Sequence, residues 1–366
     1  MKKVRLFYKG VLKMSNIEGE KGVIIHNGGL KASNIKKNLL KYKSIVALLV
    51  LCTVITVISP TFLQVSNLRN LFTQVSVNAV ISLGMTFVIL TGGIDLSVGS
   101  IISTLNNPFF VTLKEGAEAK AEELGYELLV VDSQNDSSKE LSNVQDLLQK
   151  GVSAIIINPV DSDAAESSVV QANNEDIPVI TVDRQANGGY VICHIASDNV
   201  KGGEMAANFI KEQLGGKGNI AELQGIPGAS ATRDRGEGFH NIVDADENLN
   251  IVSSQPADFD RQKGLTLTEN MLQSNPDIQA IFAHNDEMAL GAVKALSTAG
   301  KKAIVVGFDG GDDAIKAVDS GEMAATIAQQ PDLMGSLAVE NAKKVLNGES
   351  VDKEIASDLK LYVKTE

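Results

Sequence analysis

Side chains that can recognise a hydroxylated ligand recur just after the apolar, strand-like runs of this sequence. Carboxylates, amides and guanidinium groups form hydrogen bonds with hydroxyls, and aromatic rings cover C–H faces. Ligands of open α/β sheets lie beyond the carboxyl ends of the strands, so these positions are the first candidates for a site. The candidates are Asn107, Phe109, Phe110, Asp183, Arg184, Thr232, Arg233, Asp234, Arg235, Asp258, Phe259, Asp260, Asn285, Asp286, Glu287, Asp309 and Gln329. This set suits a small neutral polyol.

Each candidate also has a purely structural interpretation. Asp183 and Arg184 are neighbours and can form a local salt bridge, Asn285 and Asp309 can cap the helices that follow them, and Arg233 and Arg235 can be solvated. Taken singly, the two interpretations have equal weight. Their shared position at strand ends favours a binding site.

Motifs of enzyme chemistry are absent from the sequence. The four histidines, His26, His194, His240 and His284, have no metal-ligand spacing, and there is neither a Gly-x-Ser-x-Gly elbow nor a GxxxxGK[ST] loop. We therefore expect no catalytic residue, metal or cofactor. The abundant carboxylates keep a carbohydrate-active enzyme open as the less favoured alternative.

The elements that would position these residues alternate from Ile101 onward. Strands are predicted at 127–131, 154–157, 179–182, 191–195, 219–223, 251–254, 280–283, 303–308 and 324–328. Helices are predicted, for example, at 108–124, 139–150, 202–214, 260–273, 286–298 and 334–346. This alternation predicts α/β architecture with parallel sheets covered on both faces. Roughly 260 residues is large for one sheet, which favours two similar lobes.

The N-terminal part has a different composition. Residues 1–43 carry eleven Lys and Arg against two Glu, a net charge of +9, whereas residues 44–100 carry only Arg69 and Asp95. Because the whole chain has a net charge of -12, the part from Ile101 carries -21. So acidic a domain argues against nucleic acid as a partner. The basic residues, placed before an apolar run, are typical of the cytoplasmic flank of a membrane span.

Residues 44–59 are uncharged, and extended to Tyr42 and Pro60 they approach the roughly 20 residues of a membrane span. We expect an uncleaved anchor here, because no Ala-x-Ala site follows the run. A second apolar stretch, residues 75–90, is interrupted by polar residues. One span places the following domain outside the cytoplasm, two spans return it inside, and we expect the first arrangement.

The segment before Ile101 resembles the opening part of ribose-type ABC transporter permeases. The resemblance rests on Ser59-Pro60-Thr61-Phe62, Asn67-Leu68, Ser76-Val77-Asn78-Ala79, Gly84-Met85-Thr86 and Gly93-Ile94-Asp95-Leu96-Ser97-Val98-Gly99-Ser100. It covers about residues 36–100 and lacks the remaining spans, so transport by this chain alone is not expected.

Residues 101–366 resemble the periplasmic ribose-binding proteins of ABC sugar importers along nearly their whole length. Matching motifs include Ser103-Thr104-Leu105-Asn106-Asn107-Pro108-Phe109-Phe110, Val182-Asp183-Arg184, Arg233-Asp234-Arg235-Gly236, Ala257-Asp258-Phe259-Asp260, Asn285-Asp286-Glu287-Met288, Gly307-Phe308-Asp309-Gly310 and Ala325-Thr326-Ile327-Ala328-Gln329. The resemblance implies sugar ligands at Asn107, Asp183, Arg184, Arg235, Asn285, Asp309 and Gln329. It implies rings stacking on the sugar at Phe109, Phe110 and Phe259.

The resemblance also implies the fold and the domain division. The family has the two-lobed periplasmic-binding-protein fold of type I, which here would follow one or two apolar helices. We expect a basic tail at 1–41, permease-like membrane segments at 42–100 and a sugar-binding domain at 101–366. Its lobes would comprise 101–197 with 330–358, and 198–329 with 359–366. Three crossings near Ser197, Gln329 and Asp358 would join them, and ligand would close them by hinge motion.

The first strand is where the sequence departs from the family. That strand must come from residues 96–102, of which the part up to about Ser100 resembles permease, and Gly99 and Ser100 are weak strand formers. We expect a D-ribose or related monosaccharide binder with an extracytoplasmic sugar domain, a permease partner and a membrane tether. The alternatives are a regulator of the lactose-repressor type, a chemoreceptor's ligand domain or partner, and a non-functional gene-fusion product.

Overall fold

The structure, a computed structural model, describes residues 53, 55, 56, 58, 59, 62, 64 and 97–364. The chain divides into two compact units, residues 1–87 and 88–366. In the first unit, Thr53, Ile55, Thr56 and Ile58 have helical backbone. None of the described helices is both long and apolar enough to cross a membrane. The expected apolar stretch at 75–90 and most of the one at 44–59 lie outside the described residues.

The first lobe of the second unit is a parallel six-stranded sheet in the order β11-β5-β4-β3-β1-β2. Its strands are β1 (Ser97–Ile102), β2 (Glu127–Asp132), β3 (Ala154–Ile157), β4 (Val179–Val182), β5 (Cys193–Ser197) and β11 (Glu354–Ser357). Helices cover both faces, α1 (Pro108–Leu124) and α9 (Pro331–Leu346) on one, α2 (Ser137–Lys150) and α3 (Ala165–Asn174) on the other. The two apolar cores therefore lie above and below the sheet.

The second lobe repeats this plan, with strand order β12-β10-β9-β8-β6-β7. Its strands are β6 (Gly218–Gln224), β7 (Leu249–Pro256), β8 (Ala280–Ala283), β9 (Ile304–Asp309), β10 (Ala325–Ala328) and β12 (Lys360–Val363). Only β12 is antiparallel among the described strands of this sheet. The covering helices are α4 (Asn199–Gln213) and α5 (Ser230–Val243) on one face, and α6 (Arg261–Ser274), α7 (Asp286–Thr298) and α8 (Asp312–Ser320) on the other.

The chain passes between the two sheets three times, from β5 to α4, from β10 to α9 and from β11 to β12. The predicted two-lobed α/β architecture with parallel sheets is confirmed, apart from the antiparallel edge strand β12. The strand predicted at 191–195 forms two residues later, as β5, where Cys193, His194 and Ile195 pair with β4. The strand predicted at 251–254 is longer at both ends, as β7, because it pairs with β6 along its length.

The sheet of the first lobe begins at Ser97, ahead of the expected boundary at 101. β1 pairs with β2 in unbroken parallel register, from Ser97 opposite Glu127 to Ile102 opposite Asp132. Gly99 leaves space for the Leu147 side chain of α2, since a Cβ at this position would lie 2.7 Å from Leu147 Cδ1. A residue that weakens strand propensity thus permits close packing of the helix on the sheet.

Candidate functional site

Asn107 and the two phenylalanines that follow lie at the start of α1. The Asn107 side chain caps the helix by accepting a hydrogen bond from the Phe109 backbone N at 3.0 Å, and Pro108 occupies the first turn. Phe109 and Phe110 are buried and meet edge to face, with ring centroids 5.2 Å apart. The cap and the proline together fix where α1 begins and therefore the direction in which both rings point.

Asp183 and Arg184 follow β4, and both are almost fully buried. Asp183 has a φ of 63°, and its Oδ2 accepts a hydrogen bond from Asn158 Nδ2 at 3.3 Å. Arg184 Nη1 donates to the Pro159 carbonyl at 3.2 Å, and its Cζ lies 5.1 Å from the Phe110 ring centroid. The turn after β3, which contains Asn158 and Pro159, therefore holds both charged residues in place.

Arg235 reaches the site from the second turn of α5. Its Nε donates to Asn199 Oδ1 at 2.8 Å, and its Nη1 donates to the His284 carbonyl at 2.6 Å. The guanidinium Cζ lies 3.8 Å from the Phe308 ring centroid, and Nη1 is 3.6 Å from Asp309 Oδ1. Two directional hydrogen bonds and one aromatic face fix this buried cation.

The remaining predicted residues of the second lobe also lie at strand ends. Asn285 caps α7 by accepting from the Met288 backbone N at 3.0 Å, as its structural interpretation predicted. Asp309 ends β9 with a φ of 123°, and Gln329 Nε2 donates to its Oδ1 at 2.9 Å. Phe259 has a φ of 61° and lies between β7 and α6, with its centroid 5.2 Å from Arg184 Cζ.

Nine of the ten predicted binding residues line one cavity between the lobes. Ala231 completes the wall of this cavity. Gln329 is the exception, because it lines an adjoining cavity that shares Asn107, Phe109 and Asp309 with the first. The residues are contributed by both lobes: Asn107, Phe109, Phe110, Asp183 and Arg184 by the first, Arg235, Phe259, Asn285 and Asp309 by the second.

The cavity combines two buried carboxylates with two buried guanidinium groups. Burial raises the pKa of Asp183, and Arg184 and Arg235 oppose this shift. Burial likewise raises the pKa of Asp309, and the positive charge of Arg235 opposes this shift. The charges balance within the site, so a neutral ligand requires no further counter-ion. Such a cavity can donate hydrogen bonds to a neutral molecule and accept hydrogen bonds from it, while the aromatic rings face the apolar surface of that molecule.

Other candidates from the sequence lie outside this cavity. Arg233 is exposed and donates to the Gly228 carbonyl, as its solvated interpretation predicted. The solvated interpretation was wrong for Arg235, which is buried. Asp286 is buried beneath the site, where it accepts from Thr326 Oγ1 and from the Gly311 backbone N. Asp258, Asp260 and Glu287 line an open neighbouring cavity. Within the described part of the chain, no cluster of His, Cys, Asp or Glu is arranged to hold a metal ion.

Sequence reasoning missed the buried residues that hold the lining side chains. Asn158 directly follows β3, and Asn199 follows β5 by two positions, so the strand-end rule that found the others also points to them. Glu140 on α2 accepts a hydrogen bond from the Val160 backbone N at 2.8 Å and so supports the turn that binds Arg184. Glu140 has no such positional signal, because it lies within a helix.

Comparison with known proteins agrees with this geometry. The family model described as a periplasmic binding protein domain matches residues 98–350. The chain is 55% identical over 267 residues to the Ribose import binding protein RbsB of Bacillus subtilis (strain 168), a match that covers 73% of this chain and 87% of that protein. It is 57% identical over 265 residues to the protein of that name from Haemophilus influenzae (strain ATCC 51907 / DSM 11121 / KW20 / Rd), covering 72% and 90%.

Among solved structures, the chain is similar to an ABC transporter periplasmic solute binding protein from Actinobacillus succinogenes 130z with bound D-allose. The TM-score is 0.70 at 32% identity, and the match covers 74% of this chain and 98% of that one. The family model covers more than half of the chain, and two relatives share more than half of the aligned residues. The chain therefore belongs to the periplasmic binding protein domain family.

Proposed function

We propose that the chain is the substrate-binding component of an ABC sugar importer and that it binds D-ribose or a related monosaccharide between its lobes. The observation that carries the proposal is the convergence of nine predicted sugar-binding residues on one cavity at the carboxyl ends of both sheets. Hinge motion at the three crossings would admit and release the sugar. Binding with lobe closure, rather than chemistry, is the activity.

The polarity of the cavity supports a monosaccharide. Its lining combines two carboxylates, two guanidinium groups and two amides with three phenylalanine rings, which suits a hydroxylated ligand with apolar faces. Arg184 Nε and Gln329 Oε1 are buried without a hydrogen-bond partner among the described residues. Sugar hydroxyls would satisfy such atoms, whose desolvation otherwise costs stability.

Two relatives with 55–57% identity carry the name ribose import binding protein, which favours D-ribose for this chain. The solved structure with bound D-allose is a more distant relative at 32% identity. We therefore propose D-ribose as the preferred sugar and the permease of the importer as the protein partner.

Isothermal titration of the full-length chain with D-ribose, allose, arabinose and galactose tests the proposal. We expect one site per chain and the tightest binding for D-ribose. Tighter binding of another sugar of the panel would correct the choice of ligand, and the absence of binding by every sugar would contradict the function.

The region before the sugar domain has a proposed role of its own, which rests on sequence pattern alone. We propose the division into a basic tail (1–41), permease-like segments (42–100) and the sugar-binding domain (101–366). The first apolar run would tether that domain to the outer side of the cell membrane, and the permease-like part would not transport by itself.

An engineered surface cysteine in the sugar domain should react with an impermeant reagent in intact cells. Reaction only after permeabilisation would contradict the tether.

A further inference from the structure

A fully buried carboxylate lies in the second lobe, outside the cavity and without a role in the proposed binding. Glu222 is in the middle of β6, and its side chain is 0% exposed. The carboxylate is nevertheless well satisfied, since four side chains donate to it: His284, His240, Ser254 and Gln224. A buried carboxylate with four donors and no contact with the ligand cavity requires a structural reason.

The four donors keep Glu222 ionised. Burial alone would raise the pKa of Glu222, but the hydrogen bonds from His240 and His284 hold it well below its usual value. His240 is 37% exposed at its side chain and provides the compensating charge, because its hydrogen bonds to Glu222 and Asp244 raise its pKa to about 9. Burial lowers the pKa of His284, so that ring is neutral and donates through Nε2.

His284 connects this charged cluster with the cavity. Its Nε2 lies 2.8 Å from Glu222 Oε1, while its backbone carbonyl accepts the hydrogen bond from Arg235 Nη1 at 2.6 Å. The next residue along the chain is Asn285, which lines the cavity. The ring bond to Glu222 therefore fixes the peptide that holds Arg235 and places Asn285.

We propose that Glu222 and His284 are positioning residues of the sugar site, because their hydrogen bond fixes the backbone that anchors Arg235 and Asn285. The inference rests on the proposed function and deepens it. Arg235 donates hydrogen bonds to Asn199 and to the His284 carbonyl. If the His284 carbonyl moves, the Arg235 guanidinium loses one of these two hydrogen bonds.

Two amide variants of His284 test the inference. His284→Gln can place its amide donor near the position of Nε2, whereas His284→Asn places it near Nδ1, an atom that has no partner among the described residues. We expect His284→Gln to bind D-ribose within about threefold of the parent chain, and His284→Asn to bind it at least about tenfold more weakly. A role in stability alone would lower the melting temperature of both variants without this difference in affinity.

A matched control removes a buried hydrogen bond of the same lobe elsewhere. Thr268 on α6 is 0% exposed and donates to the Gly264 carbonyl, so Thr268→Val should lower the melting temperature and leave D-ribose affinity unchanged. All variants are made in the full-length chain and titrated with D-ribose.

The outcomes separate this inference from the proposed function. If the parent chain binds D-ribose and His284→Asn binds it equally well, the positioning role is overturned and the function stands. If the parent chain binds no sugar of the panel, the function itself is overturned.

If His284→Asn does not fold, Ser254→Ala decides, since it removes a Glu222 donor at an exposed position. Reduced D-ribose affinity in Ser254→Ala would support the inference, and unchanged affinity would overturn it.

Discussion

Arg184 lies between two aromatic rings, with its Cζ 5.1 Å from the Phe110 centroid and 5.2 Å from the Phe259 centroid. Phe110 belongs to the first lobe and Phe259 to the second, so this cation contacts both lobes. Three cavity residues other than glycine, Asp183, Phe259 and Asp309, have positive φ values. Each such conformation costs roughly 1–3 kcal/mol and persists where the surrounding structure enforces it. Their concentration here indicates that the fold stores strain to aim these side chains.

Asn158 provides one of the constraints that aim them. It is 0% exposed, and its Oδ1 accepts from Ser103 Oγ at 2.6 Å while its Nδ2 donates to the Val182 carbonyl at 3.1 Å and to Asp183. We expect Asn158→Leu to weaken D-ribose binding by about tenfold or more, because Asp183 loses its support. Titration of Asn341→Leu, a buried asparagine on α9 that donates to the Leu337 carbonyl, should show parent affinity. Equal affinity of both variants would remove Asn158 from this role.

Gly225 sets the position of the Phe259 ring. A Cβ at residue 225 would lie 2.0 Å from Phe259 Cζ, so Gly225→Ala must displace the ring. We expect about a tenfold loss of D-ribose affinity in the parent background and no further loss in a Phe259→Ala background. Additive losses in the double variant would show that Gly225 acts other than through Phe259.

At the scale of elements, the presence of most strands and the opening of α1 were predictable because they depend on local sequence. The run 154–157 forms β3 as predicted, and Pro108 opens α1 as predicted. β11 and β12 escaped prediction because the charged residues Glu354 and Lys360 keep them from being continuous apolar runs, and because their pairing partners, β5 and β10, are distant in sequence. Glu222 escaped as well, since a polar residue inside a strand shows its role only when its partners are known. His284 directly follows β8, but its ring bonds to Glu222 and does not line the cavity.

The packing of α2 against β1 can be tested by substitution of Gly99. Because a Cβ at residue 99 would press on the Leu147 side chain, Gly99→Val should lower the free energy of unfolding by about 1–3 kcal/mol. Chemical denaturation of the full-length chain provides the measurement. In the Gly99→Val, Leu147→Ala double variant, the valine fills space that the leucine vacates, so the combined loss should be smaller than the sum of the two single losses. A combined loss equal to that sum would contradict the packing argument.

At the scale of the whole molecule, the two lobes also contact each other outside the cavity. The Ser162 backbone N donates to the Gly228 carbonyl at 2.9 Å, and Ser162 Oγ accepts from the Ser230 backbone N at 3.1 Å. The Gln185 backbone N donates to Ser230 Oγ at 2.9 Å. These hydrogen bonds join the lobes directly, so hinge opening of the lobes would have to break them.

The pH dependence of stability should reflect His240, whose pKa is raised to about 9 from an ordinary value of 6.5. Below pH 6.5 its contribution is fully present, and it is lost as the pH rises through about 9, because the unfolded chain loses that proton earlier. The side chain is partly exposed, so the contribution should be about 1 kcal/mol or less. Urea midpoints of the parent chain and His240→Gln should therefore converge between pH 6 and pH 9.5. A constant difference would contradict this assignment.

The proposed function requires that the cavity between the lobes is the sugar site. Arg235 tests it best, since this buried cation lines the cavity and belongs to the second lobe. The measurement is a parallel isothermal titration of the full-length parent chain and Arg235→Ala with D-ribose. We predict one site per chain in the parent and no measurable binding in the variant, because sugar hydroxyls and Asp309 lose a partner in a closed cavity. Unchanged affinity in Arg235→Ala would contradict the account.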